Sequence, residues 1–104
     1  MAGVKEIERV ICRTPTAGKS GTTRIPKWKF DCIRKAILAG LNENQIPFSE
    51  LTENVRKRLS PGELNEMGSL GWHTTSVKLE LEVRGEIKRL PQKGKQILVL
   101  GDKI

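Results

Sequence analysis

Residues 76–90 read SVKLELEVRGEIKRL, and two periodicities compete for them. Val77, Leu79, Leu81 and Val83 alternate with polar residues, as on a half-buried strand. On a helical wheel the same residues fall on two apolar faces, Val77 with Leu81 and Trp72 with Leu79 and Val83. Thr75, Lys78 and Glu82 then form a polar ridge between those faces. Leu, Lys and Glu favour helix, Ser69 stands where an N-cap is needed, and Gly85 offers a stop. The helical reading is preferred, and a helix with two apolar faces has to be covered on both sides.

Elsewhere the pattern is simpler. Phe30, Ile33, Ile37 and Leu41 recur at spacings of three and four, predicting a helix over residues 27–40 with Pro26 at its first position. Ile46-Pro47-Phe48 is a short extended piece. Leu51, Val55 and Leu59 predict a second helix, capped by Ser49 and stopped by Ser60-Pro61-Gly62, after which Glu63 to Gly68 add at most a turn. Residues 87–90 and 96–100 predict two strands joined by a Gly-bearing loop. Residues 1–13 read as a short strand or a turn of helix, and the Thr-, Gly-, Pro- and Ser-rich residues 14–23 as a connection. The expected architecture is therefore α+β, a winged helix. Its three-helix bundle and C-terminal β-hairpin wing occupy residues 27–100, between an extended N-terminal segment, 1–26, and a frayed tail, 101–104.

Length and composition narrow the function more than they define it. A chain of 104 residues fits one domain. Aromatics are only 4% of it, so Trp28, Phe30, Phe48 and Trp72 are the bulky pieces expected in an otherwise aliphatic core. No apolar run is long enough to span a bilayer, and the acidic residues in the first apolar stretch argue against a secretory signal. Cys12 and Cys32 lack the spacing of a disulfide framework or a zinc site, which places the protein in a reducing cytoplasm. The net charge is +7, with a surplus of three positive charges in each of the segments 1–26, 27–41 and 86–104. Segment 42–68 is net acidic and 69–85 is balanced. A positive field at both ends and on the first helix favours a polyanion or an acidic partner.

The candidate contacts follow from that field. Lys93 and Lys95 at the wing tip, flanked by Lys88 and Arg89, suit phosphate oxygens. Thr74, Thr75 and Lys78, expected on the outward side of the third helix, would approach bases or backbone. Arg24, Lys27 and Lys29 would add phosphate contacts at the first helix. That third helix also carries Glu80 and Glu82, and no Arg or Asn before Arg84 for bidentate base readout. Backbone-dominated DNA binding is thus expected rather than sequence reading. A protein-interaction module on the same scaffold is the alternative. Ala17-Gly18-Lys19-Ser20 lacks the earlier glycine of a phosphate loop, since Arg13 stands there. His73, the one histidine, has no acid and nucleophile in company. Neither an enzyme nor a cofactor or metal site is expected.

Leu81, Glu82, Gly85, Ile87 and Arg89 resemble the helix end and first wing strand of winged-helix proteins. A wider resemblance covers most of the chain. GTTRI at 21–25, KWKFDCIRKAIL from Lys27, and GWHTTSVKLELEVRGEI at 71–87 are similar to a family of small uncharacterised bacterial proteins known as a domain of unknown function. That family has a Gly-Lys-Thr-Thr-Arg-Val-like box before the first helix and a Gly-Trp-Trp box opening the third, where His73 here replaces the second tryptophan. The resemblance implies the winged-helix architecture and brings no activity or ligand with it.

Overall fold

Two short runs with a period of two, Val10/Cys12 and Thr23/Ile25, give the N-terminus a structure that its loop-like composition conceals. In the computed structural model, which describes residues 8–13, 22–92 and 94–101, β1 (Arg9–Arg13) pairs antiparallel with β2 (Thr22–Pro26). Cys12 and Ile25 point inward and join the central hydrophobic cluster. The expected extended segment is thus, in its described part, a two-stranded ribbon built onto the domain, and residues 14–21 lie outside the described residues.

Next comes α1 (Lys27–Glu43), a turn longer than expected, which buries Phe30, Ile33, Ala36, Ile37, Gly40 and Leu41. Pro26 is its N-cap rather than its first residue, as it also ends β2. After β3 (Ile46–Pro47), α2 (Phe48–Arg56) buries Leu51 and Val55. Its N-cap is Pro47, so Ser49 sits in the first turn and makes no capping bond.

A separate helix, α3 (Pro61–Met67), occupies the stretch expected to hold at most a turn. The Ser60 hydroxyl accepts from the Glu63 backbone N–H at 3.1 Å, and the Glu63 carboxylate accepts from the Ser60 N–H at 2.8 Å. This reciprocal capping box starts the helix that Pro61 seemed to forbid. Among the described residues the helical layer therefore has four members rather than three.

The contested segment is helical. The fourth helix, α4 (Leu70–Arg84), begins at the Ser69 cap, whose hydroxyl accepts from the Trp72 N–H at 3.3 Å. It ends at Gly85, which takes a positive φ of 79°. There the Gly85 N–H donates to the Glu82 carbonyl and the Glu86 N–H to the Leu81 carbonyl, the paired bonds of a Schellman stop.

The chain then forms a hairpin of β4 (Ile87–Gln92) and β5 (Lys95–Leu100), turned at Gly94 with φ 80°. In the resulting antiparallel sheet, β5 lies between β3 and β4, with Ile46 and Arg89 both opposite Leu98. Ile46, Ile87 and Leu98 turn to the core. The fold is mixed α+β, and the described residues form two small antiparallel sheets around one cluster.

Two aromatic residues expected in the core are not there. Trp28 and Trp72 are 41% and 51% exposed, and the volume is filled by aliphatic residues, Met67 and Phe30 instead. Gly101, placed by sequence in a frayed tail, donates its N–H to the Glu86 carbonyl at 2.8 Å and locks the end of β5 onto the α4 stop. Residues 102–104 lie outside the described residues.

A Cβ at Gly101 would collide with the Gly85 carbonyl oxygen, a backbone atom that cannot step aside, whereas one at Gly71 meets nothing within 4 Å. Gly101→Ala is expected to destabilise the fold by about 1–3 kcal/mol. Gly71→Ala, on the exposed side of α4, should be neutral or stabilising by up to about 1 kcal/mol. Urea unfolding midpoints of the two variants check this pair, and equal midpoints would contradict the packing described.

Candidate nucleic-acid interface

The polar residues of α4 are where the expected interface would lie, and Thr74, Lys78, Glu80 and Glu82 among them face inward. Leu70, Thr74, Val77, Lys78 and Leu81 form the buried stripe, and Glu80 is buried beside it. Trp72, Ser76, Leu79 and Val83 make the outward stripe, of which Trp72 is exposed and the others half-buried. The second cover expected over Trp72, Leu79 and Val83 lies instead over the charged positions, because α4 packs on α1 and α2 and is flanked by β1 and β4.

Two ion clusters account for this. Glu80, 1% exposed, accepts from the Arg13 backbone N–H at 2.8 Å and from the Arg13 side chain at 3.0 and 2.7 Å. Arg84 donates to the same carboxylate at 2.8 Å, and its guanidinium lies 4.8 Å above the Phe30 ring. Burial pushes the Glu80 carboxyl up, but the charged donors of Arg13 and Arg84 outweigh it and hold the group down at about 2.

In the second cluster, Lys78 is 3% exposed, with its ammonium 2.7 Å from Glu82, 3.3 Å from the Gln96 side-chain Oε1 and 4.5 Å from the centre of the Phe48 ring. Arg89 approaches Glu82 at 3.3 Å. Neither Glu82 oxygen takes a well-directed hydrogen bond, so charge rather than hydrogen-bond geometry holds this carboxylate.

The sequence-derived contacts divide accordingly. Thr74 is fully buried with its hydroxyl unpartnered, Thr75 is half-buried and Lys78 is interior, so the α4 set does not form an outward surface. The periodicity placed the ridge correctly but could not show that strands cover it. Lys88, Arg89 and Lys95 are exposed on the wing, and of these Arg89 also pairs with Glu82. Lys93 lies outside the described residues. Lys27 pairs with Asp31 at 2.7 Å, and Lys29 donates to the Met67 carbonyl at 2.9 Å. Arg24 stands exposed on β2.

Among the described residues, Arg9, Arg24, Lys29, Lys35, Lys57, Lys88 and Lys95 have no carboxylate within ion-pair distance. Arg9 was not anticipated. The alternation of β1 could have revealed it, because it puts Arg9 opposite in direction to Cys12.

Other features of the surface carry less chemistry. The Cys32 thiol donates to Glu63 at 3.0 Å in a cleft shared with Lys35, Arg58 and Ser60. Burial, then the bond to Glu63, pushes it up to about 11, and burial does the same to Cys12, so both free thiols are protonated at neutral pH. The His73 Nδ1 donates to the Ser69 carbonyl at 2.7 Å. Among the described residues no helix is long and apolar enough to cross a membrane.

Removing either buried carboxylate should be costly, but to different extents. Glu80→Gln frees two arginines that are partly exposed and can rehydrate, a loss of about 1.5–3 kcal/mol. Glu82→Gln strands an ammonium with no route to water, a loss of about 3–5 kcal/mol. Denaturant unfolding ranks them, and a costlier Glu80→Gln would contradict the geometry.

The pH dependence follows from Glu80. Its folded value lies below the ordinary 4.5, so its stabilisation is complete above that range and is lost as pH falls toward about 2. The melting temperature should drop across that interval, and Glu80→Gln should flatten the drop. An equally steep drop in the variant would show that other carboxylates govern it.

Comparison with curated proteins and with solved structures gave no match. A family model, however, matches residues 9–97, from the first strand of the ribbon to the middle of the last strand of the wing, and the chain belongs to that family, the family of unknown function DUF6958.

Proposed function

We propose that this protein is a winged-helix domain that binds double-stranded DNA mainly through the phosphate backbone. The element order supports the winged-helix reading. It runs α1, a short strand, α2, α4 and a hairpin, with the short strand added to the hairpin's second strand as β3-β5-β4. The small α3 is an addition before the last helix of that plan. The two thiols, both free, fit a reducing cytoplasm.

One observation carries the DNA reading. Every cation on α4 is tied to a carboxylate, whereas Lys88 and Lys95 on the wing point outward with none among the described residues. A surface of that kind neutralises phosphates without reading bases, since phosphate contacts position a protein and base contacts specify a sequence. A second reading, a protein-interaction module, is favoured by Trp72, which stands half in solvent on the same stripe as Leu79 and Val83.

Fluorescence anisotropy with a labelled random duplex, titrated with salt, separates the two. The DNA reading predicts binding at low salt that weakens steeply as salt rises. Lys88→Ala with Lys95→Ala should reduce the slope of log K against log salt by about 1.8, or about 0.9 for each lost phosphate contact. Absence of binding at low salt would sink the DNA reading in favour of the protein partner.

A further inference from the structure

We infer that the outward face of the β1–β2 ribbon is a second DNA-contacting surface, which takes the position that an exposed α4 would otherwise hold. The inference rests on the DNA reading above but uses residues remote in sequence from the wing. Cys12 and Ile25 point into the core, so alternation turns Arg9 and Ile11 outward on β1 and Thr22 and Arg24 outward on β2, while the Arg13 guanidinium turns back onto Glu80. Arg24 lies directly opposite Ile11, and Arg13 opposite Thr22. The ten strand positions contain three arginines and no acidic residue.

Arg9 and Arg24 are exposed with no ion-pair partner among the described residues. Arg13 keeps 53% of its side chain exposed even while bound to Glu80. Ile11, also 53% exposed, sits between them.

Size and rigidity favour a duplex over a flexible acidic chain. A two-stranded ribbon is of a size that the ~12 Å width of a major groove admits. Arg24 lies across from Ile11 on the neighbouring strand, and Arg9 is two residues from Ile11 on its own. The ribbon is also fixed before any ligand arrives. Glu80 takes three hydrogen bonds from Arg13, and the Lys27 N–H donates to the Glu8 carbonyl at 2.7 Å. A surface ordered in advance does not lose that freedom on binding. An apolar side chain among arginines suits a groove floor, where thymine methyl groups are met.

The test uses the full chain, a labelled random duplex and three double variants. Arg9→Ala with Arg24→Ala should bind at least about tenfold more weakly at low salt, with the salt slope reduced by about 1.8. Arg9→Lys with Arg24→Lys should retain the wild-type slope, because the charges remain. If the Ala pair binds like wild type while the Lys88/Lys95 pair is weakened, the ribbon assignment alone is overturned. If wild type itself does not bind, the DNA reading falls as well. Equal loss in the Ala and Lys pairs would mark a folding role and overturn the assignment. So would displacement of the duplex by poly-glutamate at equal charge concentration, which would identify an acidic polypeptide as the partner.

Discussion

Glu80 holds a strand and its own helix to one carboxylate, and the shape of the outer surface depends on what it holds. The backbone N–H and guanidinium of Arg13 come from β1, and a second guanidinium comes from Arg84 one turn along α4. Four charge-assisted bonds to one buried acceptor fix the ribbon against the helix. The side of α4 that carries Glu80 is thereby closed. In exchange, the ribbon presents its own outward arginines, so a side of the domain that is electrically balanced along α4 becomes basic.

The Lys78–Glu82 pair does a related job at the wing. Burying two charges gives little net stability over an apolar pair of the same size, because desolvation offsets most of the attraction. What it supplies is position. An aliphatic contact between α4 and the hairpin could slide by part of a residue at small cost, whereas an ammonium within 2.7 Å of its carboxylate, beside Gln96 of β5, cannot. With Arg89 paired to Glu82, the wing cations without a carboxylate partner among the described residues are Lys88 and Lys95. The wing's charge is thus set partly by what the helix behind it consumes.

How much of this the sequence could show depended on the range of the interaction. Local signals were legible: the apolar spacing of α1, the Ser69 cap, the Gly85 stop and the hairpin all express physics confined to a few residues. The Ser60 to Glu63 box was equally local, but Pro61 and Gly62 masked it as a breaker. Long-range pairings were not legible. Arg13 and Glu80 are 67 positions apart, and nothing near either residue signals that they meet. For that reason Lys78 could be assigned to the correct ridge, and Thr74 to the helix's outward first turns, when both are interior. Trp28 and Trp72 were misplaced for the opposite reason, since size predicts burial only where the surrounding core has room.

The claim that the polar side of α4 is interior, and that the basic surface comes from the strands in front of it, can be tested without any ligand. Native protein treated briefly with an amine-acetylating reagent and analysed by peptide mass spectrometry reports each lysine separately. The account predicts rapid modification of Lys88 and Lys95, with Lys78 protected until the fold is unfolded by denaturant. Modification of Lys78 at the rate of Lys88 in the native protein would contradict it.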